Sequence, residues 1–458
     1  MKTWIGLIVC ALSIRSEMVA AQATIKPDAD PRIQQLIASI SQQRLQELDA
    51  KLAGFGTRET LSNAASPGRG VAAAREWIFE ELQRSSPKLK VSFETFQLAV
   101  QSRVQHPVEL RNVIAVLPGK TARRVYITGH YDSVNVGPGS QGALNSAAPG
   151  SRVRDPQDQP TFDHDTDAPG ANDDGSGTAL TMELARVFAE SGIEFDATLV
   201  FACWAGEEQR LLGSGAHAQK LAAEKGAVEA MLSNDIVGNI RGGNGIVDAG
   251  SVRVYAVGPE DSMARSLARY IERAAEIYVL SHRVRLMARE DRFGRGSDQS
   301  AFTSAGYPAV VFRESRENFS KQHSANDTLD GVDYGYLAQN ARVNAAAAAS
   351  LALAPAAPVV TGSNGAALIS RDPSGYDATL RWTASNNAAG YRVYWRDTWS
   401  NDWQHELTIG NVTLYTLPNV SIDDYVFGVS AIGPDGHESL ISAYVAAVRK
   451  VPEIKLVK

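Results

Sequence analysis

Ile33, Leu36, Ile37 and Ile40 recur at helical spacing behind Asp30-Pro31, an N-cap residue followed by the residue best suited to a first turn. Ser41 opens a second stretch of the same kind, with Leu45, Leu48 and Leu52 on one face, and residues 71–82 make a third. At Val91 and Phe93 the period shortens to two, which predicts a strand. Beyond it the period changes repeatedly. Residues 108–117, 125–128, 199–203, 253–257 and 308–312 read as strands, and 178–189, 209–223, 263–275 and the alanine-rich 334–353 as helices. Such alternation predicts an α/β layered domain around a parallel or mixed sheet.

The run Ala352-Leu353-Ala354-Pro355-Ala356-Ala357-Pro358 breaks that rhythm and reads as a linker. Short β-type runs follow at 378–382, 391–395, 406–409, 425–432 and 443–448, with turn residues such as Gly433-Pro434-Asp435-Gly436 between them. They predict an all-β sandwich over 356–450, separable from the α/β domain at 24–355. Trp382 on an early strand, Tyr425 opening a late one, and the pattern Tyr-x-Phe-x-Val-Ser-Ala resemble a fibronectin type III domain. A surface or polymer ligand is the expected partner of such a module, although no residue singles one out.

Composition narrows the picture. With 44% apolar and 21% charged residues, the 458-residue chain has core material for two or three domains. A net charge of −6 gives no general basic surface for nucleic acid. Lys2, the apolar run from Trp4 to Leu12 and the small residues of Ala21-Gln22-Ala23 read as an export signal over 1–23, so the mature chain is expected in the periplasm or outside the cell. Neither that run nor any later one is long enough for a transmembrane segment. Cys10 would leave with the signal. Cys203, within an apolar strand, is expected to be a core residue rather than a nucleophile.

Four short clusters carry candidate chemistry, most of them where a predicted strand ends and ligands gather in open α/β sheets. Gly129-His130-Tyr131-Asp132 places an imidazole and a carboxylate on one face of an extended chain. Gly170-Ala171-Asn172-Asp173-Asp174-Gly175 precedes a predicted helix; its acids suit either a bridging carboxylate or an ordinary helix start. Gly206-Glu207-Glu208 sets two acids pointing different ways, one able to ligate and the other free as a base. Asn234-Asp235 and His323 complete the set, and each on its own suits a loop equally well. Together they supply two histidines and three carboxylates as ligands, with a spare glutamate and a supporting aspartate, which is the inventory of a two-metal hydrolytic site. A His-Glu-x-x-His zincin motif, a Gly-x-Ser-x-Gly elbow and a phosphate-binding glycine loop with lysine are missing from the sequence.

In order and context the clusters resemble those of the secreted dizinc aminopeptidases, the family of leucyl aminopeptidases and glutamate carboxypeptidase-like zinc peptidases. The likeness includes Gly56-Thr57-Arg58 and Arg111-Asn112-Val113-Ile114 upstream. It implies a three-layer zinc-exopeptidase fold with a central mixed sheet, two zinc ions, and peptides as substrates. One ion would be held by His130 and Asp235, the other by Glu208 and His323, with Asp173 bridging. Glu207 would be the general base, and Asp132 would orient His130. The implied reaction removes N-terminal residues by a metal-bridged hydroxide. A carboxypeptidase or dipeptidase would share this site, whereas a glutaminyl cyclase would need one metal.

Two positions depart from the family pattern. Some members carry a tyrosine before the last histidine; here it is Gln322. The frequent Ser-Asp-His segment appears as Ser297-Asp298-Gln299. In the family that tyrosine can stabilise the oxyanion, so the oxyanion donor here is open, with Arg295 the candidate for it and for substrate binding. The acids Asp155, Asp158, Asp163, Asp165 and Asp167 lead toward Asp173 and are expected to attract an α-ammonium, while Arg292, Arg295 and Arg313 would suit a carboxylate. His164 and His217 are expected at the surface, and His106, His282, His405 and His437 have no partnering motif nearby.

Overall fold

A computed structural model describes residues 29–136, except 64 and 102, and residues 164–446. The predicted export signal and the acids Asp155, Asp158 and Asp163 lie outside the described residues.

Helices α1 (Pro31–Ala38) and α2 (Gln42–Ala53) form where the apolar stripes predict them. The Asp30 and Ser41 side chains accept the amides of Arg32 and Arg44, satisfying groups a first turn leaves without partners. Helix α3 (Gly70–Ser85) follows, then strands β1 (Lys90–Leu98), β2 (Val108–Leu117) and β3 (Arg124–His130). Next come α4 (Ser176–Glu190), β4 (Thr198–Trp204), α5 (Leu212–Ala223), β5 (Val228–Asn234) and β6 (Ser251–Ala256). Helix α6 (Met263–Tyr278), β7 (Arg283–Met287), α7 (Gln299–Ser304), β8 (Ala309–Glu314) and α8 (Tyr334–Leu353) complete this part.

The eight strands form one mixed sheet in the order β1-β2-β4-β3-β5-β8-β6-β7. Its centre, β4-β3-β5-β8, is parallel, and antiparallel pairings join it to β2 on one side and β6 on the other. Alternate residues of each strand point to opposite faces. On β4, Leu199, Phe201 and Cys203 enter the core that holds α1, α2, α4, α6 and α8, while Val200, Ala202 and Trp204 enter the smaller core with α5 and α7. The sheet is therefore the middle of three layers. Cys203 is buried, as expected of a core residue.

Strands β5 and β7 escaped the sequence reading. Within β5 the apolar run is only Ala230-Met231-Leu232 before Ser233 and Asn234, and β7 is an edge strand alternating with arginines. The helix expected over 209–223 begins later, at Leu212, because Arg210 and Leu211 have positive φ and form a turn.

Beyond Ala354 the chain forms two antiparallel sheets. One has β9 (Ile369–Ser370), β10 (Ala378–Arg381) and β13 (Leu414–Leu417) in the order β13-β10-β9. The other has β11 (Gly390–Asp397), β12 (His405–Ile409), β14 (Tyr425–Ile432) and β15 (Ser442–Ala443) in the order β12-β11-β14-β15. Trp382, Tyr391, Val393, Phe427 and Val429 share their own core. The module does more than hang from a linker. Leu440 joins the core of the α/β domain, Arg396 pairs with Asp261, and Ser266 on α6 exchanges hydrogen bonds of 2.8 and 3.1 Å with the backbone of Ile441.

Candidate metal centre

Three adjacent parallel strands deliver the candidate ligands from their C-terminal ends. His130 is the last residue of β3, Glu207 and Glu208 follow β4, and Asp235 follows β5. The Asp173 turn fits against these ends because Gly129 and Gly177 have no side chains. A Cβ on Gly177 would stand 2.1 Å from the Asn234 carbonyl oxygen, and one on Gly129 would stand 2.6 Å from the Gly177 carbonyl carbon.

His130 Nε2 lies 3.4 Å from Asp173 Oδ1 and 3.8 Å from Asp235 Oδ1. On the other side of Asp173, His323 Nε2 lies 3.1 Å from Asp173 Oδ2 and 3.4 Å from Glu208 Oε2. These make two triads sharing Asp173, each with its ligand atoms within 4.8 Å of one another. His130 Nε2, Asp173 Oδ2 and Glu208 Oε1 are buried without an aligned hydrogen bond among the described residues. Burying such atoms unsatisfied is costly, so a cation between them fits the donors present. The His130 ring is pulled down by burial, but the charge of Glu207 and side-chain hydrogen bonding to Asp132, Asp173 and Asp235 outweigh that and raise its pKa well above the usual value. The centre is built to hold positive charge.

Asp132 has two duties. Its backbone oxygen lies 3.1 Å from His130 Nδ1, closer than its carboxylate at 3.6 Å. The carboxylate instead accepts the backbone amides of Glu207 and Glu208, both at 3.1 Å. Glu207 itself is in neither triad. Burial raises its carboxyl well above the usual range; His130 opposes this, and Asp235, Asp298 and Asp132 add to it.

The surrounding residues hold the loops still. Arg58, fully buried, donates to the carbonyl oxygens of Leu52, Tyr131, Pro169 and Gly170, so it clamps the His130 loop to the Asp173 turn. Asp327 accepts the amides of Asn172 and Asp173 at 3.1 and 2.8 Å. Ser297 Oγ donates to Asp235 Oδ2 at 2.5 Å, and Arg313 pairs with the same carboxylate. Asp298 is buried close enough to Glu207 to affect its charge, and burial raises its own pKa to about 7.

The sequence profile of peptidase family M28 matches residues 112–348. A probable zinc metalloprotease of Pyricularia oryzae is 37% identical over 464 residues, which span 92% of this chain and 85% of that protein. Another, from Leptosphaeria maculans, is 36% identical over 451 residues, spanning 91% and 97%.

The chain belongs to peptidase family M28.

Its fold is that of solved structures with little sequence likeness. An aminopeptidase of Legionella pneumophila superposes with a TM-score of 0.52 at 16% identity, covering 77% of this chain and 80% of that one. A glutaminyl cyclase of Porphyromonas gingivalis gives 0.51, also at 16% identity, covering 67% and 97%.

The arginines beside the M28 site divide sharply. Arg292 bonds Glu317 at 2.5 Å, Arg313 bonds Asp291 at 2.7 Å, and Arg253 pairs with Glu317. Among the described residues the Arg295 guanidinium bonds the amide oxygen of Gln322, at 2.9 Å, and no carboxylate. Of the acids expected to draw an ammonium, Asp165 accepts the amide of Asn63 at 2.9 Å and Asp167 pairs with Arg69 at 2.6 Å. His217, expected at the surface, is instead buried, bonded to Glu94 at 2.7 Å and Tyr126 at 3.1 Å. Its partners come from β1 and β3, so no local pattern announced them. His164 is largely covered, pairs with Glu59 at 3.1 Å and belongs to neither triad.

Proposed function

We propose that this M28 chain is an exported, zinc-dependent aminopeptidase that removes N-terminal residues from peptides. The observation that carries this reading is the pair of ligand triads sharing Asp173. Imidazole and carboxylate donors suit zinc, and the curated relatives are named as zinc metalloproteases. One ion would be held by His130, Asp173 and Asp235, the other by Asp173, Glu208 and His323. Bound there, the pair would supply an acidified water and polarise the scissile carbonyl.

Glu207 takes a proton from the attacking water and returns it to the leaving amine nitrogen, a task open to the one acid of the adjacent pair that belongs to neither triad. Asp132 keeps Glu207 and Glu208 in register through their amides. Two triads favour hydrolysis over the one-metal chemistry of a cyclase. Attack from the amino end is supported by two of the three arginines. Arg292 and Arg313, which a carboxypeptidase would want for a terminal carboxylate, are already neutralised by Asp291, Glu317 and Asp235. The β-module is read as fibronectin type III-like, with a surface or polymer ligand.

Aminoacyl-4-nitroanilides test the reading. The purified protein is expected to cleave them, to lose activity to a chelator and to regain it with zinc. N-acetylation of a peptide should block cleavage and C-terminal amidation should not. The opposite pattern would make the enzyme a carboxypeptidase.

A further inference from the structure

Hydrolysis of an amide makes an anion that none of the residues assigned above is placed to receive. As water attacks, a C–O bond forms and the carbonyl π pair moves onto oxygen. The water proton passes to Glu207, the C–N bond breaks, and the proton ends on the amine nitrogen. Between attack and cleavage that oxygen carries a charge which preorganised donors stabilise. Gln322, where some family members place a tyrosine, is turned toward its neighbours: Oε1 accepts from Arg295 at 2.9 Å and one Nε2 N–H donates to Glu317 at 3.2 Å, which leaves it one neutral N–H uncommitted among the described residues.

Arg295 is differently placed. It stands two residues before Ser297, which touches the ligand Asp235, and its guanidinium bonds the residue before the ligand His323. Its loop is therefore anchored on one ligand, Asp235, through Ser297 and on the chain neighbour of another, His323. Arg292, Arg313 and Arg253 are all paired with carboxylates, whereas no carboxylate among the described residues pairs with Arg295. One of its five N–H groups is used, and the side chain is only partly covered. A planar cation held by one edge, with donors left over beside a metal centre, is an anion receptor.

We propose that Arg295, held in place by Gln322, donates to the oxyanion of the scissile carbonyl. The proposal rests on the peptidase reading above. The same guanidinium chemistry would also suit a substrate's terminal carboxylate, and the substrates chosen for the test separate the two.

Aminoacyl-4-nitroanilides have no terminal carboxylate. On them, Arg295→Met in the zinc-loaded full chain should lower kcat by about 100-fold or more, the scale of losing one oxyanion donor, while KM moves little. Arg295→Lys should retain part of the rate, and added guanidinium should restore part of it to Arg295→Ala. Gln322→Leu, which leaves the cation but frees it, should lower kcat less than Arg295→Met does. Calorimetry with an α-aminophosphonate, a tetrahedral anion, should show weaker binding to Arg295→Met at unchanged zinc content. Unchanged kcat on nitroanilides, with KM raised only for peptides bearing a free carboxylate, would overturn the proposal and make Arg295 a carboxylate reader. An inert zinc-loaded wild type would instead overturn the peptidase reading and this inference with it.

Discussion

The carboxylate of Asp132 accepts the backbone amide of Glu208 at 3.1 Å, so the residue two places beyond one metal-ligand candidate also sets the position of another. Its other oxygen does the same for Glu207. One carboxylate thus ties the end of β3 to the acids after β4, and with them the two triads to the base.

Asp132→Asn replaces one acceptor oxygen with an N–H donor that would face an amide. The expected result is a loss of about 10–100-fold in activity or zinc affinity, the scale for residues that support ligands, in a protein that remains folded. Zinc affinity and kcat equal to wild type would mean that Asp132 supports neither acid.

Glu207 and Glu208 are neighbours with different expected phenotypes. Glu207→Gln should lower kcat by about 100-fold or more, the scale of losing a general base, with zinc content near normal. Glu208→Gln should lose zinc, because Glu208 belongs to a triad and Glu207 to neither. Metal analysis of both variants decides it, and exchanged phenotypes would reverse their roles.

Asp49 offers a test by pH. Burial raises its carboxyl to about 8, against the opposing pull of the Tyr334 hydrogen bond and the Arg58 charge. An unfolded aspartate titrates near ~3.9. The folded state therefore holds the extra proton, and the stability this gives is complete below the unfolded value and lost as pH rises through about 8. Asp49→Asn still accepts from Tyr334, so it should gain on the wild type as pH rises from acid toward about 8. Chemical denaturation at several pH values measures this. A constant difference would show that Asp49 is ionised in the folded protein.

The β-module should melt with the enzyme. Arg396 is buried and paired with Asp261 across the junction, and Leu440 lies in the α/β core. Arg396→Ala should cost about 1–2 kcal/mol, less than breaking a fully buried pair because Asp261 keeps part of its solvent, and calorimetry of the full chain should show one main transition. Two well-separated transitions, unmoved by the substitution, would restore the independent module that the Pro/Ala linker suggests.

What was legible in the sequence depended on how local its cause was. Helices α1 and α2 could be read because each buries a single stripe beside a cap. Strands β5 and β7 could not, since one owes its burial to the strands on either side and the other alternates with arginines at the sheet edge. His130, Glu208 and Asp235 stand out because sheet topology gathers strand ends, whereas Asp173 and His323 lie off the strands and join them in the sequence only through the resemblance. Arg58 stands out in the sequence only within Gly56-Thr57-Arg58, because an arginine that bonds four carbonyl oxygens leaves no spacing to recognise. The pairing of Arg292 with Glu317 depends on two separate loops meeting in space, and so did not show in the pattern.

The most direct test of the account is the number of zinc ions at full activity. Titration of metal-free protein with zinc, followed by elemental analysis, should give two ions per chain when activity reaches its plateau. Removing a ligand private to one triad, by His130→Ala or His323→Ala, should leave room for one. Full activity at one ion per chain or fewer would contradict the shared-Asp173 centre.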